Sequence, residues 1–240
     1  MEIIDAISKW IKVQVEQAGA EGVAVGLSGG IDSAVVAALA KRSLRDEVLG
    51  LLLPCHSQKE DEEDANIVAS HLQLETCTVD LSSTYDSLIA ILPSADKNTT
   101  ANIKTRLRMI CLYYFASSKN YLVAGTGNKS EISVGYFTKY GDGGTDILPL
   151  GDLFKYQVIE IAKKLSLPEA IINKPPSAGL WPGQTDEGEL KITYEQLDQA
   201  ILDITSNHAK ATPPDICSRV EELIKSSEHK RVPIPIFKNH

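Results

Sequence analysis

The sequence has no C-x-x-C pair and no cysteine–histidine spacing of a zinc site, because Cys55, Cys77, Cys111 and Cys217 lie far apart. They read as reduced, mostly buried thiols. No stretch approaches about 18 uninterrupted apolar residues, which excludes a membrane-spanning helix. Met1-Glu-Ile-Ile-Asp5 lacks the basic-then-apolar order of a secretion signal, so a cytoplasmic location away from membranes is expected. A basic surplus is missing too. The 24 Lys and Arg stand against 32 Asp and Glu, and the resulting charge of −8 repels nucleic acid. There is no internal repeat and no low-complexity tract. What remains is 240 residues, 43% hydrophobic and 23% charged, the size and balance of a single enzyme domain with a sizeable core.

Ile3, Ile4, Ile7, Ile11 and Val15 recur at helical spacing and predict an amphipathic helix over residues 2–18. Val23-Ala-Val-Gly-Leu27 is a short apolar run ending in glycines, which suits a buried parallel strand. Ile31 to Leu44, rich in alanine and leucine, then reads as a helix. The alternation continues with a strand over Val48–Leu53, an acidic helix from Lys59 to His71 and a strand over Thr76–Leu81. A helix over Asn102–Ser118 and a strand over Tyr121–Ala124 follow. Strands separated by helices imply right-handed crossovers and a parallel sheet covered on both faces. The expected fold is α/β, doubly wound and Rossmann-like, with ligands at the carboxyl ends of the strands.

Farther on the pattern changes. Asn128 to Pro149 is polar, glycine-rich and aperiodic, and Lys174 to Glu189 carries Pro175, Pro176, Pro182, Gly179 and Gly183. Loops this long in a compact domain are functional or disordered. The spans 128–149 and 174–190 are therefore expected to be mobile, the second as a lid. Asp152 is expected to cap a helix running to Leu165. Helices over Tyr194–Ser206 and Pro214–Ser226 precede a proline-spaced tail.

Ser28-Gly29-Gly30-Ile31-Asp32-Ser33 sits where the first strand gives way to helix. Glycines let the backbone turn tightly against a ligand, and a helix N-terminus offers unpaired N–H groups and positive dipole charge. Together they make a phosphate cradle with Ser28 and Ser33 as hydroxyl donors. A plain tight turn, with Ser and Asp capping the helix, is the competing structural reading. Gly26-Leu-Ser28-Gly-Gly30 also matches the G-x-S-x-G nucleophile elbow. That elbow needs an upstream strand and oxyanion loop, yet no His-Gly-Gly precedes it here, and nothing around His208, His229 or His240 marks a triad base. A Walker A loop is excluded by the missing Gly-Lys-Ser/Thr, and the G-x-G-x-x-G dinucleotide fingerprint is not matched.

The hexapeptide resembles the pyrophosphate loop of the ATP pyrophosphatases, which cleave ATP between the α and β phosphates. Later segments narrow the resemblance. Asn102-Ile-Lys-Thr-Arg106-Leu-Arg108-Met, Gly125-Thr126-Gly-Asn128-Lys-Ser-Glu131 and Gly135-Tyr-Phe-Thr-Lys139-Tyr-Gly-Asp142-Gly-Gly-Thr-Asp146 are similar to NAD synthetases. So are Lys174-Pro-Pro-Ser177-Ala-Gly-Leu-Trp181, Gly183-Gln-Thr-Asp-Glu187 and His229-Lys230-Arg231. The resemblance runs from about Val23 to Arg231. A single helix before the first strand points to the branch that takes free ammonia, without the large amidase domain of the glutamine-dependent members. Cys55 and His56, adjacent on a segment read as extended, point to opposite faces and are poorly placed for thiolate activation.

The resemblance implies formation of NAD from deamido-NAD, ATP and ammonia through an adenylated carboxylate, releasing AMP and pyrophosphate. It implies that Gly26, Leu27, Ser28, Gly29, Gly30, Ile31, Asp32, Ser33 and Thr126 bind ATP, with Lys155 and Ser177 reaching its phosphates. Asp32 and Glu131 become magnesium ligands, and Arg106, Lys139, Asp146, His229 and Lys230 contact deamido-NAD. Asp142 is the candidate for ammonium, with a turn-stabilising role as its alternative. Lys155 is the candidate for neutralising developing charge. A homodimer is implied as well. Ser177 stands where many members have threonine, and Lys191 where glycine is common. Arg106 and Arg108 flank apolar Leu107, Ile110 and Cys111, so both also fit a solvated helix face. The motif favours function for Arg106, Lys139 and Glu131, and structure for Arg108 and Trp181. A GMP synthetase core and a non-enzymatic adenine-nucleotide-binding module are the alternatives in activity.

Overall fold

The computed structural model describes residues 2–206 and 211–239. Its centre is a parallel four-stranded sheet in the order β3-β2-β1-β4, formed by β1 (Gly22–Gly26), β2 (Val48–Leu52), β3 (Glu75–Thr78) and β4 (Tyr121–Val123). Val23 pairs with Val48 across β1 and β2, and Gly22 with Tyr121 across β1 and β4. The chain winds outward from β1 to β3, then returns to add β4 on the other side of β1. That reversal opens a crevice beyond the carboxyl ends of β1 and β4, where doubly wound sheets bind ligands.

Strand alternation divides the core. Val23, Val25, Val48 and Leu52 face one layer, made by α1 (Ile3–Gln17), α2 (Ile31–Leu44), α3 (Lys59–His71) and α7 (Lys155–Lys164). Ala24, Leu49, Leu51 and Val123 face the other, which α4 (Ser82–Ile91) and α5 (Lys97–Lys119) cover. α1 packs on α2 through Ile4, Ile7, Ile11 and Val15, the stripe visible in its sequence. α2 is buried continuously from Ser33 to Ala40, and only small or branched side chains fit between a sheet and two helices.

The remaining helices are α6 (Lys129–Val134), α8 (Glu169–Ile172), α9 (Asp186–Leu190), α10 (Tyr194–Thr205), α11 (Pro214–Ser226) and α12 (Glu228–Arg231). α10 and α11 form a satellite core around Leu197, Ile201 and Val220, against Val134 and Phe154. α6 lies inside the span read from sequence as aperiodic, and Asn128 and Glu131 cap it reciprocally.

Asp152 does not cap α7. The helix starts at Lys155, Gln157 Oε1 accepts the Phe154 N–H at 2.9 Å, and Ser130 Oγ accepts the Lys155 N–H at 3.0 Å. Asp152 lies too early in the chain and instead pairs with Lys129 at 2.8 Å. β3 ends at Thr78 rather than Leu81, and the unforeseen α4 follows. His56 has φ 50°, so the Cys55–His56 step is not extended. Its Nε2 sits 2.8 Å from Asp86 while Cys55 is buried, which pushes that thiol's pKa up. Among the described residues no helix is long and apolar enough to cross a membrane. His208 and His240 lie outside the described residues.

Candidate active site

β1 delivers the chain into the serine–glycine turn at the centre of the crevice. Gly29 has φ +75°, and a Cβ there would stand 2.5 Å from the Asp61 carbonyl oxygen and 2.8 Å from Asp64 Cβ. Both conformation and space require glycine. Gly30 is the N-cap of α2 and no side chain caps it, which removes the reading of the turn as a plain capping motif. The helix dipole and first N–H groups of α2 remain available to an anion. The hydroxyls brace the turn: Ser33 Oγ donates to Gly30 O at 2.9 Å, and Ser28 Oγ accepts the Gly30 N–H at 3.3 Å.

Asp32 projects from the first turn of α2 towards two later segments. Its Oδ1 accepts Asn128 Nδ2 at 3.0 Å, and its Oδ2 pairs with Lys155 Nζ. Lys155, 2% exposed, also reaches Glu131 Oε1 at 3.6 Å. Burial opposes its charge, but Asp32 and Glu131 more than compensate and its pKa rises. Burial and the neighbouring Asp32 charge push Glu131 up, against the Lys155 charge and the Asn128 N–H. Two largely buried carboxylates share one buried ammonium.

The turn opens into a cavity of about 530 Å³, the size of a cofactor or small-ligand site. Gly26, Leu27, Ser28, Gly30, Ile31, Asp32, Ser33, Thr126, Glu131, Asp142, Lys155, Ser177 and Lys230 all line it, while Gly29 turns against α3. Asp142 Oδ1 accepts the Thr138 N–H at 2.9 Å, a turn-bracing bond, and desolvation at the cavity wall raises its pKa against that bond.

The other residues expected around a second substrate lie outside the lining. Exposed Arg106 donates from Nη2 to Lys139 O at 3.4 Å, and Lys139 Nζ donates to His229 O at 2.6 Å. The three form one patch beside the cavity mouth. Asp146 accepts from Tyr113 Oη at 3.0 Å and from the Val123 N–H at 2.8 Å, at the end of β4. Lys230 connects the two regions, lining the cavity and donating to Gly135 O at 2.7 Å and Phe137 O at 2.8 Å.

The sequence model of the NAD synthase family matches residues 3–234. The chain belongs to the NAD synthase family. The NH(3)-dependent NAD(+) synthetase of Carboxydothermus hydrogenoformans is 48% identical over 237 residues, 97% of this chain and 96% of the relative. That of Methanocaldococcus jannaschii is 47% identical, over 96% of this chain and 94% of the relative. Among solved structures, an NMN synthetase from Francisella tularensis superposes with TM-score 0.90 at 38% identity, covering 99% of this chain and 98% of that one. The NH3-dependent NAD synthetase from Campylobacter jejuni gives 0.87 at 31% identity, covering 99% and 100%.

In this NAD synthase family chain several wall residues carry no expectation from the sequence. Arg108 was read as structural, yet it lines the cavity while donating to Leu53 O at 3.0 Å and Ser57 Oγ at 3.3 Å. Lys174 lines it too, held by Asp61 at 2.8 Å and Asp64 at 2.6 Å. Trp181, also read as structural, lies in the wall with Lys97 Nζ 4.2 Å from its ring centre. Tyr136, Asp186 and Glu189 line the cavity near Glu131, and Tyr194 stands behind it. Burial first, then the neighbouring carboxylates, push both phenol pKa values far up, so the two tyrosines remain O–H donors. The Asp186-Glu-x-Glu189 run was the visible signal for the acids. Tyr136 lies inside the quoted Gly135–Asp146 motif without a role of its own, and nothing in the sequence marked Tyr194.

Proposed function

We propose that the chain amidates deamido-NAD with ammonia at the expense of ATP, yielding NAD, AMP and pyrophosphate. The observation that carries this reading is the meeting of Asp32, Glu131 and Lys155 at an uncapped, glycine-turned helix N-terminus inside one cavity. A carboxylate is a poor acyl donor until its oxygen is converted to a leaving group. In the adenylation step that oxygen forms a bond to the α-phosphorus and the bond to the pyrophosphate oxygen breaks, a reaction governed by positioning and charge neutralisation.

The N–H groups of the Ser28–Ser33 turn hold the departing pyrophosphate. Lys155 neutralises charge on the phosphates, and Thr126 and Ser177 approach from flanking loops. Asp32 and Glu131 would hold magnesium, which supplies Lewis-acid stabilisation of the phosphate oxygens. The donor set fits: both are carboxylates, and among the described residues no three His, Cys, Asp or Glu form a complete cage, which suits an ion that completes its shell with phosphate and water. Asp142 holds the ammonium at the wall and takes one proton from it; the ammonia attacks the acyl carbon, the acyl–oxygen bond to AMP breaks, and the second nitrogen proton leaves with AMP or to solvent. The 174–190 segment, seated over the cavity, excludes competing water.

Arg106, Lys139, Asp146, His229 and Lys230 receive deamido-NAD. Arg106 shares a face of α5 with Ile110 and Tyr114, which are 57% and 69% exposed. A second copy of the chain covers that face, forming a homodimer whose interface borders the substrate patch. The cytoplasm is the location this chemistry suits.

Pyrophosphate release, measured with deamido-NAD, nicotinic acid mononucleotide and xanthylate in turn, tests the reading. Ammonium-dependent release with deamido-NAD is expected. Preference for the mononucleotide would move the chain towards the activity named for the Francisella relative, and a response to xanthylate alone would overturn the proposal. ATP binding without any release would leave a binding module.

A further inference from the structure

From Glu131 a run of polar contacts leads along the cavity wall into the 174–190 segment. Tyr194 Oη stands 3.2 Å from Glu131 Oε1 and 2.9 Å from Asp186 Oδ2. Tyr136 Oη stands 3.1 Å from the other Asp186 oxygen and 2.6 Å from Glu189 Oε2. Gln184 Nε2 donates to that same Glu189 oxygen at 2.7 Å, and Gln184 Oε1 accepts the Leu180 N–H at 2.8 Å. Its carbonyl accepts Ser177 Oγ at 2.8 Å. Asp186 and Tyr194 are 4% and 7% exposed, so water does not substitute for these partners.

Each phenol lies between two carboxylates that repel one another, and its single O–H is shared between them, donated to one at a time. Without the O–H between them, Glu131 and Asp186 would separate or rotate, since like charges in a dry wall are costly. Asp186 is also the first residue of α9, directly after the proline-rich stretch, and its N–H donates to Pro176 O at 3.1 Å. Lifting that stretch therefore displaces Asp186, and with it the partner that orients Glu131.

We propose that Tyr194, Asp186 and Tyr136 are positioning residues that couple the orientation of the Glu131 carboxylate to the seating of residues 177–185. The inference rests on the reading of Glu131 as a magnesium ligand. Oriented carboxylates hold metals better than free ones, and loss of an orienting partner costs about tenfold or more in metal affinity. Coupling is reciprocal: a seated segment strengthens the grip on the cation, and a gripped cation seats the segment. The cation is thus held fully only when water is shut out.

Tyr194→Phe and Tyr136→Phe remove one oxygen each and keep the rings, including the Tyr194 face that lies 5.0 Å from Lys155 Nζ. Two quantities are measured: the magnesium concentration giving half-maximal pyrophosphate release, and amide hydrogen exchange of residues 177–185 with ATP, with and without magnesium. Each variant is expected to raise the magnesium requirement about tenfold, to leave the KM for deamido-NAD unchanged, and to lose the magnesium-dependent protection. As links in series, the two changes together should cost no more than the larger alone. Wild-type magnesium requirement in both variants, retained protection, or factors that multiply in the double variant would overturn the coupling. If Tyr194→Phe does not fold, Tyr136→Phe decides through the same two readouts. Glu131→Gln separates the two levels. An unchanged magnesium requirement there overturns the metal assignment, whereas an inactive Glu131→Gln beside wild-type tyrosine variants overturns the coupling alone.

Discussion

Asp32 concentrates the proposed chemistry of the cavity in one side chain, because it touches both Lys155 and Asn128 and stands in the turn proposed to hold phosphate. Asp32→Asn should lower magnesium-dependent pyrophosphate release by roughly 100-fold or more, as loss of a transition-state charge partner does. Its melting temperature should change little, since Glu131 still faces Lys155. Near wild-type turnover with the usual magnesium requirement would count against the assignment. Gly29 gives the opposite pattern, a backbone effect without chemistry of its own. Gly29→Ala forces a left-handed alanine against the Asp61 carbonyl and should destabilise the chain by about 1–3 kcal/mol in urea unfolding. Both residues were legible in the sequence because the turn compresses glycine, hydroxyl and acid into six consecutive positions. Arg108 was not, since a charge beside apolar helix positions looks the same whether it faces solvent or a cavity. The side chain of Tyr136 meets Asp186, and that of Tyr194 meets Glu131, only across 50 or more residues of chain.

At the scale of elements, α2, α3 and α11 begin and end where the sequence reading placed them. α4 escaped because none of its residues is buried, so no periodic stripe marks it. β3 was displaced because its own residues are largely exposed, whereas Leu81 beyond its end packs into the core. α10 supplies an acid test. Asp203 near its end accepts the Ala211 and Thr212 N–H groups at 2.9 and 2.8 Å and Gln199 Nε2 at 2.9 Å. The Thr212 N–H bond is the main cause that holds its pKa down at about 2, below the unfolded value of about 3.9. A depressed folded pKa stabilises above the unfolded value and stops doing so as pH falls through the folded one. Asp203→Asn should therefore be less stable than wild type at neutral pH, with the gap closing between about pH 4 and pH 2. A gap that stays constant across that window would refute the assignment.

For the whole molecule, Arg106 of the proposed substrate patch lies on α5 with the exposed Ile110 and Tyr114, and the proposed second copy joins there. Sedimentation should show a species near twice 26.1 kDa. Tyr114→Glu should shift it to the monomer and raise the KM for deamido-NAD, leaving ATP binding near normal. Only the monomer in wild type at micromolar concentration would refute the assembly. The buried Lys155 between Asp32 and Glu131 has one more consequence. With that ammonium in place, part of the negative charge of Asp32 and Glu131 is offset before any nucleotide arrives. A counter-ion supplied by the chain itself is expected to let the scaffold fold without a metal, unlike small zinc domains. A chelator should stop turnover yet leave the thermal unfolding curve where it was, and magnesium-ATP loading becomes an exchange of ions within a finished scaffold.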